Sequence, residues 1–386
     1  MLRILTATSL ALPLFTVTFA VNLQAPLYSA YVAGSGYGAT AVTIAFSAYV
    51  AGLMPTLCLL GGLSDRIGRK PPVALALVLG ALATALLVLF PIWTSLIVAR
   101  FLLGIGTALA TTAGAAYMTE ILGAGRTRSA ALAVTSATSL GFGGGALATG
   151  ISLTFQGPTF FPVSFAALFV AAPILALLTL ALPRLDDPKP VSMLRLPVFP
   201  DGTWTFGFAL ALAWSSTGMI IAVVPLQLAA HDLDEWTGPV IFLAIFIGFL
   251  CQPIAKRMSD EMALATGIVL IPLGFAILLL GAWVQSIELV LLGTGLSSAS
   301  SYGFTYLAGL SQVAIRAPDN RARATAGLFV YAYVGFSLPV IASGILADTF
   351  GLIEAMAAFL FALFIGCASV LAFHYSRSAA RHLRST

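Results

Sequence analysis

Long apolar runs, broken by short polar segments, repeat along the whole chain. A membrane-crossing helix needs about 20 predominantly apolar residues. Read at that length, the runs predict twelve spans, at 4–31, 40–62, 72–91, 95–117, 129–152, 161–182, 204–228, 237–255, 262–284, 287–314, 324–347 and 351–375. The first run follows Arg3 as the apolar region of a secretion signal would. It continues through Asn22, Gln24 and Pro26 with no convincing cleavage site, and is therefore read as a span.

Composition supports lipid as the solvent. Hydrophobic residues make up 60% of the chain and charged residues 8%, against roughly half apolar in soluble domains. In hydrocarbon the backbone must satisfy its own hydrogen bonds, so long helices are the natural solution. The predicted fold class is an all-α membrane protein, with twelve transmembrane helices in two pseudo-symmetric six-helix bundles. Cys58, Cys251 and Cys367 each lie in an apolar run and read as small core residues, not as disulfide or metal partners.

The cations orient the chain. With the N-terminus inside, Arg3, Arg66, Arg69, Lys70, Arg126, Arg128, Arg184, Lys189, Arg195, Lys256, Arg257, Arg316, Arg321, Arg323, Arg377, Arg381 and Arg384 share one side. That is 17 of the 18 Lys and Arg residues, Arg100 being the exception. The opposite loops carry Asp232, Asp234 and Glu235, with Glu288, Asp348 and Glu354 near them. Cytoplasmic loops carry the Lys/Arg excess, so both termini are expected in the cytoplasm of a bacterial-type inner membrane. The net charge of +4 is then a topology signal and not a sign of nucleic-acid binding.

The chain also repeats itself. Gly-Arg-Thr-Arg-Ser-Ala-Ala-Leu at 125–132 returns as Asn-Arg-Ala-Arg-Ala-Thr-Ala-Gly-Leu at 320–328. Ser64-Asp65 returns as Ser259-Asp260, without the cations that follow Asp65. A segment rich in proline and charge lies near the midpoint. The expected organisation is a bundle at 1–182, a cytoplasmic linker at 183–203, a second bundle at 204–375 and a tail at 376–386. Parallel halves suit a carrier that rocks one bundle against the other around a central site.

Four charges crowd into Asp65–Lys70, within the sequence Gly-Gly-Leu-Ser-Asp-Arg-Ile-Gly-Arg-Lys that starts at Gly61. This loop resembles the one between spans two and three of major facilitator superfamily transporters, Gly-x-Leu-(Ala/Ser)-Asp-Arg-x-Gly-Arg-Lys, with every fixed position filled. Span four resembles a second pattern of that family through Leu96, Ala99, Arg100, Gly104, Gly106 and Ala108, with Leu103 where glutamine is usual. In span five, Gly141, Gly145 and Gly150 resemble an element of the drug/proton antiporters in that family, although Ala146 and Thr149 replace its proline and one glycine. The resemblance implies that Gly61, Asp65, Arg66, Gly68, Arg69 and Lys70 latch the two halves on the cytoplasmic side when the carrier opens outward. Glu120, Arg126 and Arg128 are candidates for the same network. A solvated loop that only sets topology is the simpler alternative. The span-five glycines fit helix packing as well as a gating kink.

Arg100 is the one cation inside a predicted span. A charge at the bilayer centre costs roughly 2.5–3.5 kcal/mol on insertion scales, so an embedded one normally faces a cavity or a partner. Asn22 and Gln24 fall at a similar depth in span one and are candidate partners. Two readings stand: a brace tying spans one and four, or a charge offered to a solute. No Asp or Glu lies deep in a predicted span, and arginine cannot shuttle protons. A fixed cation without an embedded counter-charge favours an anionic or zwitterionic solute. Trp214, Ser298, Tyr302, Tyr306 and Tyr331 complete the candidate substrate-binding set, with Ser298, Tyr302 and Tyr306 on one face at helical spacing.

No enzyme motif, cofactor or metal is expected. His231, His374 and His382 lack metal-ligand spacing, and no phosphate-binding loop offers direct ATP drive. The reading is a monomeric secondary transporter exporting a small amphipathic, anionic or zwitterionic molecule, with protons the candidate coupling ion. The alternatives are an importer of an organic anion such as a carboxylate, sugar acid or siderophore-like chelate, and a transporter-like sensor that moves nothing.

Overall fold

The computed structural model describes the backbone of residues 2–33, 35–185 and 190–385, with side chains throughout except at Leu2, Ala124 and 377–385. Lys189 and the side chains of Arg377, Arg381 and Arg384, assigned to the inner side above, lie outside the described residues. Helices account for all the regular structure among the described residues. Eleven helical stretches there are long and apolar enough to cross a membrane. The chain divides into two compact units. The first comprises Met1–Leu196 with Asp232–Phe242, and the second Pro197–His231 with Leu243–Thr386.

The first unit contains α1 (Leu2–Asn22), α2 (Tyr28–Val32), α3 (Gly38–Leu60), α4 (Leu63–Ile67), α5 (Lys70–Leu89), α6 (Trp93–Leu122), α7 (Thr127–Gln156) and α8 (Val163–Ala181). The first predicted span is interrupted near its outer end. Pro26 sits in a 3-10 turn, Ala25–Leu27, that separates α1 from α2. Proline has no amide hydrogen and restricts the residue before it, so a regular helix cannot run through. The break leaves the last carbonyls of α1 open to side-chain donors. Two of the three span-five glycines, Gly141 and Gly145, pack against α1, where a Cβ at Gly145 would lie 2.0 Å from the Phe19 carbonyl oxygen, while Gly150 lies against Gly238.

The second unit contains α9 (Trp204–Ala222), α10 (Val224–Ala229), most of α11 (Thr237–Ala255), α12 (Asp260–Val284), α13 (Ile287–Ser298), α14 (Thr305–Arg316), α15 (Arg321–Phe350) and α16 (Leu352–Ser385). The stretch expected as the tenth span is built differently from the others. α13 and α14 have 12 residues each and are joined by a π-helical turn, Ala299–Phe304. The π register leaves the Ser300 carbonyl to the amide of Thr305, and the Thr305 hydroxyl also donates to it at 2.8 Å. The Ser300 hydroxyl crosses to the Gly267 carbonyl on α12, also at 2.8 Å. Small hydroxyl residues supply the side-chain bonds that support a wider turn.

The sequence repeat has a structural counterpart. α7 and α15 each run for 30 residues and each follows a 3-10 turn. The residues before them, Arg126 (φ −122°, ψ 28°) and Asn320 (φ −129°, ψ 31°), share one backbone conformation. The helix starts therefore place Arg126 opposite Asn320, one position off the arginine-to-arginine match seen in the sequence. The final helix continues past the expected end of its span as far as Ser385.

Candidate functional site

The charged loop folds as a compact network inside the first unit. Asp65 lies in the first turn of the short helix α4, where a carboxylate is favoured by the exposed amides. One of its oxygens accepts from Arg69 Nη1, and the other accepts from Arg195 Nη2 at 2.9 Å. Arg69 also donates Nε to Glu120 Oε1 at 2.8 Å and Nη1 to Ser64 Oγ at 2.9 Å. Burial opposes the charge on Arg69, yet its hydrogen bonds to Asp65 and Glu120 more than compensate and hold its pKa above the ordinary value. Gly68 adopts φ +99°, a conformation L side chains rarely take, which turns the chain between Asp65 and Arg69. Lys70 points elsewhere and donates Nζ to the Leu180 and Leu182 carbonyls, both at 2.8 Å, at the end of α8. Arg66, Arg126 and Arg128 are exposed and join no ion pair among the described residues.

Arg195 was not among the expected gating residues. It belongs to an extended segment that docks on the loop through backbone bonds: Gly62 N–H donates to the Met193 carbonyl at 2.9 Å, and Arg195 N–H to the Cys58 carbonyl at 2.7 Å. The approach is close enough that a Cβ at Gly62 would meet the Ser192 carbonyl oxygen at 2.3 Å. Its positive charge in the linker was the only available signal in the sequence.

Arg100 is 1% exposed and lies in the core of the first unit. Its Nη1 donates to the Val21 carbonyl at 2.7 Å and its Nη2 to the Phe46 carbonyl at 3.2 Å. Val21 is in the last turn of α1, where open carbonyls carry partial negative charge, so the helix end offsets part of the buried cation. The rings of Phe46 and Tyr49 lie 5.1 and 4.9 Å from the guanidinium carbon, within cation–π range. Gln24 shares the Val21 carbonyl, donating Nε2 at 2.8 Å, and Asn22 donates Nδ2 to the Phe142 carbonyl of α7 at 2.9 Å. Neither amide donates to the guanidinium, which is an all-donor group itself. The three ion pairs among the described residues all lie in the Asp65 loop, and none includes Arg100.

In the second unit, Trp214 on α9 centres an aromatic cluster. The rings of Tyr302, Tyr333, Phe336 and Phe329 lie 5.5, 5.2, 5.9 and 6.1 Å from its own. Trp214 Nε1 donates to the Ser301 carbonyl at 3.3 Å. Tyr306 meets the cluster through Phe329 at 6.3 Å. Ser298 turns to α11 and accepts from the Gly248 amide at 2.8 Å. The π turn lies between Ser298 and Tyr306, so strict α-helical spacing does not apply across the face they were expected to share. Tyr331 packs against Phe199 and Phe208 at 5.6 and 5.2 Å. Phe329 and Phe336 were missed because a phenylalanine in an apolar run carries no sign of what it faces.

A sequence profile of the Major Facilitator Superfamily matches residues 10–338. Over 270 residues the chain is 27% identical to the class C tetracycline resistance protein of Escherichia coli, a match covering 63% of this chain and 66% of that relative. Among solved structures, a point variant of the nucleoside transporter NupG superposes with a TM-score of 0.78 at 15% identity, covering 95% of this chain and 99% of the other. A bacterial homolog of the human lysosomal transporter Spinster, in an inward-facing and unoccupied conformation, gives 0.72 at 17% identity, covering 95% and 96%.

Proposed function

The chain belongs to the Major Facilitator Superfamily, and on that premise we propose that it is a secondary active transporter exporting a small amphipathic molecule that carries a negative charge. The observation that carries the reading is Arg100, a buried arginine with no carboxylate partner among the ion pairs of the described residues. A fixed positive charge in low dielectric draws anions and repels lipophilic cations. The Trp214 cluster supports an amphipathic solute, since aromatic faces accept planar apolar bodies. Similarity to a tetracycline resistance protein favours export. In this reading the chain has twelve spans, sits in the inner membrane with both termini inside, and works as a monomer by alternating access, with protons as coupling ion. The loop of Gly61, Asp65, Arg66, Gly68, Arg69 and Lys70, with Glu120, acts as its cytoplasmic gate, and Arg126 and Arg128 flank it. Asn22, Gln24, Arg100, Trp214, Ser298, Tyr302, Tyr306 and Tyr331 form its solute-binding set.

Purified protein in proteoliposomes, loaded or bathed with matched anionic, zwitterionic, neutral and cationic solutes, tests the reading. Efflux-directed, pH-driven flux of anionic or zwitterionic solutes is expected. Flux confined to cations would overturn the charge assignment. Uptake alone would establish an organic-anion importer in its place.

A further inference from the structure

Five buried polar atoms of the first unit lack a protein hydrogen-bond partner among the described residues: Glu120 Oε2 in the Asp65 network, and four donors apart from it, Arg100 Nε and the hydroxyls of Tyr28, Tyr31 and Ser47. Arg100 commits Nη1 and Nη2 to backbone carbonyls, which leaves the Nε–H edge of the fork. Tyr28 and Tyr31, 1% and 2% exposed, stand three positions apart on α2, the short helix that follows the break at Pro26. That helix packs on both α3 and α6. Arg100 lies within electrostatic range of Tyr28, and Tyr28 within that of Tyr31. Ser47, 8% exposed, follows Phe46, whose carbonyl Arg100 holds. Gln24 lies beside the Tyr28 hydroxyl, and its amide nitrogen donates to the Val21 carbonyl.

Each of these four groups can donate a hydrogen bond, and one belongs to a cation. Buried donors left without acceptors are costly, so a set of them around a charge needs an explanation. A metal cation is disfavoured beside a guanidinium, and a neutral solute leaves the charge uncompensated. An oxyanion answers both demands, because charge-assisted bonds to its oxygens are the strong ones. We propose that Arg100, Tyr28, Tyr31 and Ser47 form a carboxylate subsite within the first unit. The Nε–H and the hydroxyls donate to the carboxylate oxygens of the transported solute. The proposal rests on the reading of Arg100 as an anion-selecting charge and adds the groups that recognise the anion. The break at Pro26 has a role in it, because it turns the chain out of α1 and sets both phenols on a separate helix.

The test uses the purified full chain, with formate and benzoate as probes and formamide and benzamide as their neutral isosteres. Binding is followed by calorimetry and thermal unfolding at constant ionic strength, with sulfate as a control anion. Both carboxylates are expected to bind and raise the Tm, and both amides to do neither. Tyr28→Phe and Tyr31→Phe should each weaken carboxylate binding by roughly tenfold, the worth of one bond to a charged group. Phenylalanine keeps the ring packing and removes an unpartnered hydroxyl, so the unliganded Tm should hold or rise. Ser47→Ala provides a third arm if either tyrosine variant folds poorly. Equal responses to carboxylate and amide, equal protection by sulfate, or unchanged affinity in the variants would each overturn the subsite. Flux in proteoliposomes separates this from the transport reading. Tyrosine-dependent binding without flux leaves the subsite standing and removes transport, while carboxylate flux indifferent to the tyrosines does the reverse.

Discussion

A guanidinium bonded to two backbone carbonyls serves as brace and as charge at once, and Arg100 has to be tested for each. Removing it from Val21 and Phe46 breaks two hydrogen bonds to a charged group, each worth about 1.5–3 kcal/mol. Arg100→Ala is therefore expected to lower stability and to weaken anionic solutes far more than neutral analogues of the same shape. Arg100→Lys should rescue only in part, since an ammonium keeps the charge and loses the planar fork. Binding measured on folded, purified protein separates the two effects. Equal losses for charged and neutral solutes would mark a brace alone. Asp65 makes the complementary case, with one oxygen on Arg69 and the other on Arg195. Asp65→Asn keeps the shape and removes the charge, so transport should fall at matched expression while solute binding stays. Unchanged turnover would reduce the loop to a topology signal.

Among the elements, what could be read from the sequence depended on how far apart the partners lie. Asp65 and Arg69 are four positions apart on one charged loop, and their meeting was legible. Arg195 is 130 positions from Asp65, and apolar periodicity says nothing about where a linker docks. Long apolar helices were legible because lipid thickness sets their least length, but the 30-residue extent of α6, α7 and α15, the break at Pro26 and the π turn at Ala299–Phe304 were not. Both depend on which neighbour supplies a hydrogen-bond partner once regular helix geometry is lost. Likewise, depth placed Asn22 and Gln24 at the level of Arg100, while the direction each amide faces was set by packing. Docking of the 192–195 segment depends on the absence of a side chain at Gly62. Gly62→Ala sets a Cβ against the Ser192 carbonyl oxygen and should cost ~1–3 kcal/mol. A lower Tm with faster proteolysis within 190–196 is the expected outcome, and unchanged cleavage would show the docking to be incidental.

For the whole molecule, if the proposed transport is coupled to protons, the distribution of acids decides how they enter the cycle. Glu120 lies near the end of α6 and is held by Arg69, and the other acids of the described residues sit in loops or near helix ends. Proton linkage is expected to run through Glu120 or through the solute's own titration. Glu120→Gln should then abolish pH-driven flux of solutes that do not titrate while sparing their exchange; retained coupling would assign the proton to the solute. A separate consequence follows from the docked linker, whose residues 192–195 bond to the first unit while Val198 donates its amide to the Arg323 carbonyl in the second. If the chain is expressed as two separate polypeptides, the cut site is expected to matter. A division after Leu196 lets each fragment keep its own docked stretch, and the pair should reassemble with activity. A division ahead of Pro190 strips the N-terminal fragment of Arg195, so its Asp65 must recover that partner from the other polypeptide, and complementation should be weaker.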